Sequence, residues 1–142
     1  VPEIVNNIIA ERKKKYHGIH KLGTDMSVTN EHLVDMMHFY QQTLREEGLE
    51  YAIWGHIGDN HVHVNILPRN MEELEKGKAI YKKFAQKAVE YGGSVSAEHG
   101  IGKIKHEYLL IMFGKEGIDE MKRVKEALDP QYLFCANNMF PK

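Results

Sequence analysis

Gly55-His56-Ile57-Gly58-Asp59-Asn60-His61-Val62-His63-Val64-Asn65 is the stretch that decides how this 142-residue chain is read. The runs Trp54 to His56 and His61 to Leu67 favour β-structure, and Gly58-Asp59-Asn60 between them is turn chemistry, so the simplest local structure is a β-hairpin. With Asp59-Asn60 as the central residues of a type I′ turn, both tolerant of positive φ, Gly58 pairs with His61, Ile57 with Val62 and His56 with His63. Directly opposed residues place their Cβ atoms about 4.5–5.5 Å apart, a separation from which the His56 and His63 imidazoles converge on one cation. The period of two sends His61, His63 and Asn65 to one face of the second strand and Val62, Val64 and Ile66 to the other. One face is polar and the other is core.

A cation held by two imidazoles wants a third ligand, commonly a carboxylate. Glu98 is the candidate, in Ala97-Glu98-His99-Gly100-Ile101-Gly102-Lys103, between the strand-like run Ser94-Val95-Ser96 and a glycine-rich loop. Loops at strand ends are where a scaffold presents reactive groups. His56, His63 and Glu98 are therefore the expected ligands of a divalent ion such as zinc, manganese or iron. His99, titratable and beside a ligating carboxylate, is the expected general base. His61, close to the turn, is expected to support the site or face solvent. For the others among the nine histidines, such as His17, His32, His38 and His106, a surface or packing role is expected.

Outward from the hairpin, periodicity places helices on both sides. Glu3 to Tyr16 reads as a first helix through Ile4, Val5, Ile8 and Ile9, and His20 to Val28 reads as a strand interrupted by Gly23 and Asp25. A helix runs from Thr29 or Asn30 to Glu47, with Leu33, Met36, Met37, Tyr40 and Leu44 on one face and Gly48 as its stop. Asn70 starts another, with Glu73 three residues on as its capping partner and Ile80, Tyr81, Phe84, Ala85 and Ala88 as a buried stripe that ends at Gly92-Gly93. Ser94 to Ala97 is a short strand. Ile118, Met121, Val124 and Leu128 mark a last helix before Asp129-Pro130. The expected class is α+β, a ferredoxin-like β-α-β-β-α-β antiparallel sheet with flanking N- and C-terminal helices. The aromatic and methionine positions of the helices are expected in the core.

Composition narrows the partners. Lys+Arg 19 against Asp+Glu 20 leaves no concentrated basic face, so nucleic acid is not expected. The single cysteine, Cys135, excludes an internal disulfide framework and fits a reducing, cytoplasmic setting. No apolar run approaches the ~20 residues of a membrane span, so this domain is expected to be soluble, with a peripheral membrane association allowed for the full-length protein. The chain opens on Val1-Pro2-Glu3 and not on Met, so it reads as one domain, residues 1–142, cut from a longer protein.

With these residues in place, the chain resembles the C-terminal part of the FAD-linked oxidase family, which includes D-lactate dehydrogenases, D-2-hydroxyglutarate dehydrogenases and the flavoprotein subunit of glycolate oxidase. The family pattern Gly-His-x-Gly-Asp-Gly-Asn-x-His-x-Asn is similar to Gly55 through Asn65; Ala-Glu-His-Gly-Ile-Gly is matched in full by residues 97 to 102, and Leu-Asp-Pro-x-x-Leu by Leu128 to Leu133. Two departures stand out. Asn60-His61 replaces the usual Gly-Asn, and the family's later Asn-Pro-Gly is absent from the region of Cys135 to Phe140. The resemblance implies oxidation of a D-2-hydroxy acid to a 2-oxo acid, with His56, His63 and Glu98 on the metal, His99 as base and Asn65 on the substrate. It also implies FAD, bound mainly by an N-terminal domain that this chain lacks, so the fragment alone is expected to be inactive. A second copy of the chain is a further candidate partner, over the surface that would face the flavin.

Two other readings compete. Asn60-His61-Val62-His63-Val64-Asn65-Ile66-Leu67-Pro68 is similar to the strand of histidine-triad nucleotide hydrolases, with Asn65 in place of the third histidine. A non-catalytic metal-binding module is the other.

Overall fold

In the computed structural model, which describes residues 2–140, the chain divides after Ala97 into two units. The first carries α1 (Pro2–Lys15), β1 (Leu22–Gly23), a 3-10 turn at Asn30–His32 that leads into α2 (Leu33–Glu46), β2 (Tyr51–His56), β3 (His61–Ile66) and α3 (Met71–Glu90). The second carries α4 (His106–Leu128). The class is α+β, with a three-stranded antiparallel sheet in the order β1-β3-β2.

Alternation along β3 gives the sheet two unlike faces. Val62, Val64 and Ile66 are buried on one of them, and α3 passes so close that a Cβ on Gly77 would meet Leu22 Cδ1 at 2.8 Å and Ile66 Cγ2 at 3.5 Å. Phe84 of α3 is fully buried, its ring 4.7 Å from Tyr40 and 5.8 Å from Phe39 of α2. On the opposite face the two ends differ. Val5 and Ile9 of α1 pack with Leu67, Ala52 and Trp54, while the end nearest the turn carries His56, His61 and His63. Arg12 fastens α1 to that covered end by donating to the Leu67 carbonyl at 2.5 Å and pairing with Glu50 at 2.5 Å.

The register differs from the expected one. His56 lies opposite His61 and Trp54 opposite His63, so His56 and His63 are not directly opposed. A type I′ turn needs positive φ at two successive residues. Only Asn60 takes the left-handed conformation (φ 52, ψ 28); Ile57–Asp59 stay in a right-handed 3-10 turn, and the loop takes two more residues than expected. Because the slip is by two, every side chain keeps its face. The strands touch closely at Gly55, where φ is +155 and a Cβ would meet the His61 carbonyl oxygen at 2.6 Å and Val62 Cα at 2.8 Å.

The outer strands are shorter than expected. The strand read over His20 to Val28 is reduced to Leu22–Gly23 and an isolated bridge at Ser27, and Ser94 to Ala97 forms only the single bridge Ser27↔Ser94. Ser94 Oγ donates to the Ser96 carbonyl at 3.0 Å and accepts from the Ser96 N–H at 3.2 Å, a local side-chain alternative to the ladder. The Ala97 N–H still donates to the Asp25 carbonyl at 2.8 Å. The start of α3 follows the expectation: Asn70 Oδ1 accepts from the Glu73 N–H at 2.9 Å, and Glu73 Oε2 accepts from the Arg69 N–H at 2.8 Å.

In the second unit the last helix begins at His106, earlier than its apolar stripe implied, and is broken at Gly114 (φ 64, ψ -178). Val124 and Leu128 of that stripe are exposed, as are Leu110 and Phe113, in contrast to the buried face seen on α3. Asp129 closes the C-terminal end of α4, pairing with Lys125 and accepting from the N–H groups of Leu133 at 2.9 Å and Phe134 at 3.0 Å. No helix among the described residues is long and apolar enough to cross a membrane.

Candidate functional site

The turn end of the sheet gathers three imidazoles. Ring centroids of His61 and His63 lie 4.4 Å apart, those of His56 and His61 5.9 Å, and those of His56 and His63 6.1 Å. Thr24 holds the middle of this group from the neighbouring strand segment. Its N–H donates to the Val64 carbonyl at 2.9 Å, its hydroxyl accepts from the Val64 N–H at 2.9 Å, and its carbonyl takes the His63 Nδ1 proton at 2.8 Å. A carbonyl only accepts, so His63 carries a proton on Nδ1 and turns Nε2 away from Thr24. Histidines that ligate metals are oriented in this way, by a backbone carbonyl on the other ring nitrogen.

His61 does not face solvent, one of the two places expected for it: it is the first residue of β3 and only 4% exposed. Its Nε2 lies 3.3 Å from Asp25 Oδ1, and the other Asp25 oxygen accepts from Ser96 Oγ at 2.6 Å. Asp25 is itself 2% exposed. Sequence reasoning missed this carboxylate as a site residue, and its neighbours Gly23, Thr24 and Ser27 gave no apolar pattern to mark it as buried. Such a group is buried only with partners or a cation to compensate. Asn65 lies on the same face, 3% exposed, and its Nδ2 has no hydrogen-bond acceptor among the described residues.

Glu98 and His99 open the second unit. Both are exposed, and His99 Nε2 lies 3.0 Å from Glu98 Oε1, so each fixes the other's side chain. The loop that follows turns through Gly100 (φ 69) and Gly102 (φ 56), conformations that favour glycine. The Gly102 carbonyl accepts from the Met139 N–H at 2.8 Å and faces His106 Nε2 at 3.1 Å. Thus the first unit assembles His56, His63 and Asn65 on one sheet face, and the second pairs Glu98 with His99.

The chain matches the family of FAD linked oxidases, C-terminal domain, over residues 4–138. It belongs to that family. Glycolate oxidase subunit GlcD of Bacillus subtilis is 32% identical over 83% of the chain and 26% of the relative. The mitochondrial D-lactate dehydrogenase (cytochrome) 1 of Saccharomyces cerevisiae is 31% identical over 82% of the chain and 20% of the relative. A D-2-hydroxyglutarate dehydrogenase of Xanthomonas citri is 38% identical over 63% of the chain and 20% of the relative. This FAD-linked oxidase C-terminal domain thus spans between 20% and 26% of the length of these curated relatives.

Proposed function

We propose that this domain, residues 1–142, is the substrate and metal side of a flavin-dependent dehydrogenase that oxidises a D-2-hydroxy acid to the 2-oxo acid. The observation that carries the reading is His63, set on the polar sheet face by strand phase and oriented by the Thr24 carbonyl on Nδ1, which leaves Nε2 as the nitrogen for a ligand. Family membership adds the flavin and the class of substrate, since the relatives are named for glycolate, D-lactate and D-2-hydroxyglutarate. An FAD-binding domain is the partner this reading requires. In fold, the order Ser94 segment, β1 segment, β3, β2 supports a ferredoxin-like arrangement whose fourth strand has shrunk to one bridge.

A divalent cation fits the donor set. His56 and His63 supply imidazoles from one sheet face, and Glu98 supplies a carboxylate from the residue that follows Ala97, whose N–H is tied to Asp25. When bound, the cation supplies charge stabilisation to the substrate oxygen as it loses its proton, and the flavin supplies the hydride acceptor. His99 takes the hydroxyl proton, its ring steadied by Glu98. Asn65 donates its amide to the substrate carboxylate. A buried amide without an acceptor costs about 1–3 kcal/mol, and an incoming carboxylate offsets that cost.

The test is reduction of an artificial electron acceptor by D-2-hydroxy acids, using the FAD-loaded protein that carries this domain, with and without His63→Ala. Loss of one of the protein ligands removes cation affinity and activity together, while circular dichroism stays that of the parent. Turnover unchanged by the substitution and by a chelator refutes the metal-assisted reading.

A further inference from the structure

Asn65 is buried where its neighbours within the sheet give it almost no cover. Its partners across the strands are Gly23 on the β1 side and Ala52 on the β2 side, so no side chain larger than a methyl group flanks the amide in its own row. Asn65 is nevertheless 3% exposed, with Nδ2 buried and without an acceptor among the described residues. Part of the cover comes from α1, which packs on Ala52 and Trp54. A contact that crosses the strand adds to it. Lys21 Nζ lies over the Trp54 ring, 5.7 Å from its centroid. Lys21 leads into β1 and Trp54 belongs to β2, the two outer strands, about 9–10 Å apart, so the contact passes over β3. Lys21 stands two residues before Gly23, on the same face by the period of the strand, and Trp54 is opposite His63, two residues from Asn65. A line from Lys21 to Trp54 therefore crosses β3 at Asn65. Glycine at position 23 is not demanded by the backbone, since its φ lies outside the left-handed region and strands disfavour the residue. What a Cβ there would meet is Asn65 Oδ1, at 3.1 Å. A glycine inside a strand marks the close approach of a ligand or of another backbone, and here it leaves the β1 side of the amide open.

We propose that Lys21, resting on Trp54, and Asn65 beneath it are the two arms of a carboxylate subsite, and that Gly23 is the opening through which a small hydroxy acid places its carboxylate between them. This rests on the proposed function and extends it: there Asn65 meets the substrate carboxylate, and Lys21 supplies the positive charge that a neutral amide lacks. A carboxylate only accepts, so it takes a proton donor from each arm, the ammonium on one side and the Asn65 Nδ2–H on the other. The ammonium exchanges a ring contact, weak at a partly exposed site, for a charge-assisted hydrogen bond. The buried amide gains the acceptor it lacks. Gly23 keeps both the room for that acceptor and the place of the Asn65 carboxamide.

Trp54 is the chain's single tryptophan, so its fluorescence reports on the Lys21 contact. The experiment titrates sodium D-lactate into the 142-residue chain at constant ionic strength and with a chelator present, follows Trp54 emission and binding calorimetry, and repeats both with D-lactamide, which keeps the shape and loses the charge. A saturable response to D-lactate and none to D-lactamide is expected. Lys21→Met weakens D-lactate binding by about tenfold or more, as loss of a charge-assisted partner does, and Lys21→Arg retains it. Gly23→Val closes the opening and weakens binding with Lys21 still in place. In the FAD-loaded protein that carries this domain, Lys21→Met raises KM for D-lactate and leaves kcat close to that of the parent, a split that a merely structural role does not produce. A parent without a saturable response, an equal response to D-lactamide, or a Lys21→Met variant that binds as tightly as the parent each overturns the proposal. Should Lys21→Met fail to fold by circular dichroism, the D-lactamide comparison and Lys21→Arg still decide it. Failure of the underlying reading looks different: if the FAD-loaded protein oxidises no D-2-hydroxy acid while D-lactate still binds the parent and Lys21→Arg, the subsite stands and the reaction does not.

Discussion

Gly55→Ala tests the hairpin register and the site that depends on it. A Cβ at residue 55 would lie 2.6 Å from the His61 carbonyl oxygen, 2.8 Å from Val62 Cα and 3.0 Å from the His63 nitrogen, all backbone atoms that no side-chain rotation relieves. Ordinary contact begins at 3.4 Å, so β3 has to retreat by about 0.8 Å at the closest point. The φ of +155 adds strain of about 1–3 kcal/mol for any residue with a Cβ. Overpacking against fixed backbone adds about 1–3 kcal/mol more. A total near 4 kcal/mol lowers Tm by on the order of 15 °C in a chain of this length. Thermal and urea melts followed by circular dichroism measure it. Gly58→Ala is the control, because nothing lies within 4 Å of a Cβ there and its φ is ordinary. If Gly55→Ala melts within about 2 °C of the parent, as the control should, the strands do not meet at Gly55 as described, and the pairing of Gly55 with Val62 is refuted.

Three further outcomes are expected. Asn70→Ala removes the acceptor for the Glu73 N–H and costs about 1 kcal/mol, read as a shift in the urea midpoint with an unchanged m-value. The Lys125 hydrogen bond, with the N–H groups of Leu133 and Phe134, holds the Asp129 carboxyl below its ordinary range against the opposing effect of burial. Because the folded value is depressed, the stability it contributes is present above the unfolded value of about 3.9 and is lost as pH falls through the folded one. The difference in urea midpoint between the parent and Asp129→Ala is therefore constant from pH 7 to about 5 and closes on further acidification. Finally, the proposed function assigns the hydride acceptor to a separate FAD-binding domain, so the purified 142-residue chain is expected to show no turnover of D-2-hydroxy acids with an artificial acceptor; turnover by flavin-free chain refutes that division of labour.

The parts of the fold written in local periodicity were legible in the sequence. Period two along His61 to Ile66 assigned the polar and apolar faces of β3 correctly, and Asn70 with Glu73 marked the start of α3 to the residue. Register was not legible. A slip of two residues leaves every face unchanged, and the choice between turns rests on whether Asp59 joins Asn60 at positive φ, which residue preference alone does not decide. The edge segment Ser94 to Ala97 looked like a strand, but the bonds of Ser94 to Ser96 compete with a ladder at a range that a period-two pattern does not register. At the site, His56, His63 and Asn65 share a face as their phase required. Asp25 escaped notice because its partners, His61 and Ser96, are 36 and 71 residues away in sequence.

The unlike faces of β3 give this strand two separate kinds of inheritance. Its even-numbered residues, Val62, Val64 and Ile66, answer to the apolar interior, and its odd-numbered ones, His61, His63 and Asn65, answer to polar neighbours and to whatever the protein handles. Exchanges at odd positions therefore leave the apolar face of the strand, and the packing of α3 on it, as they were.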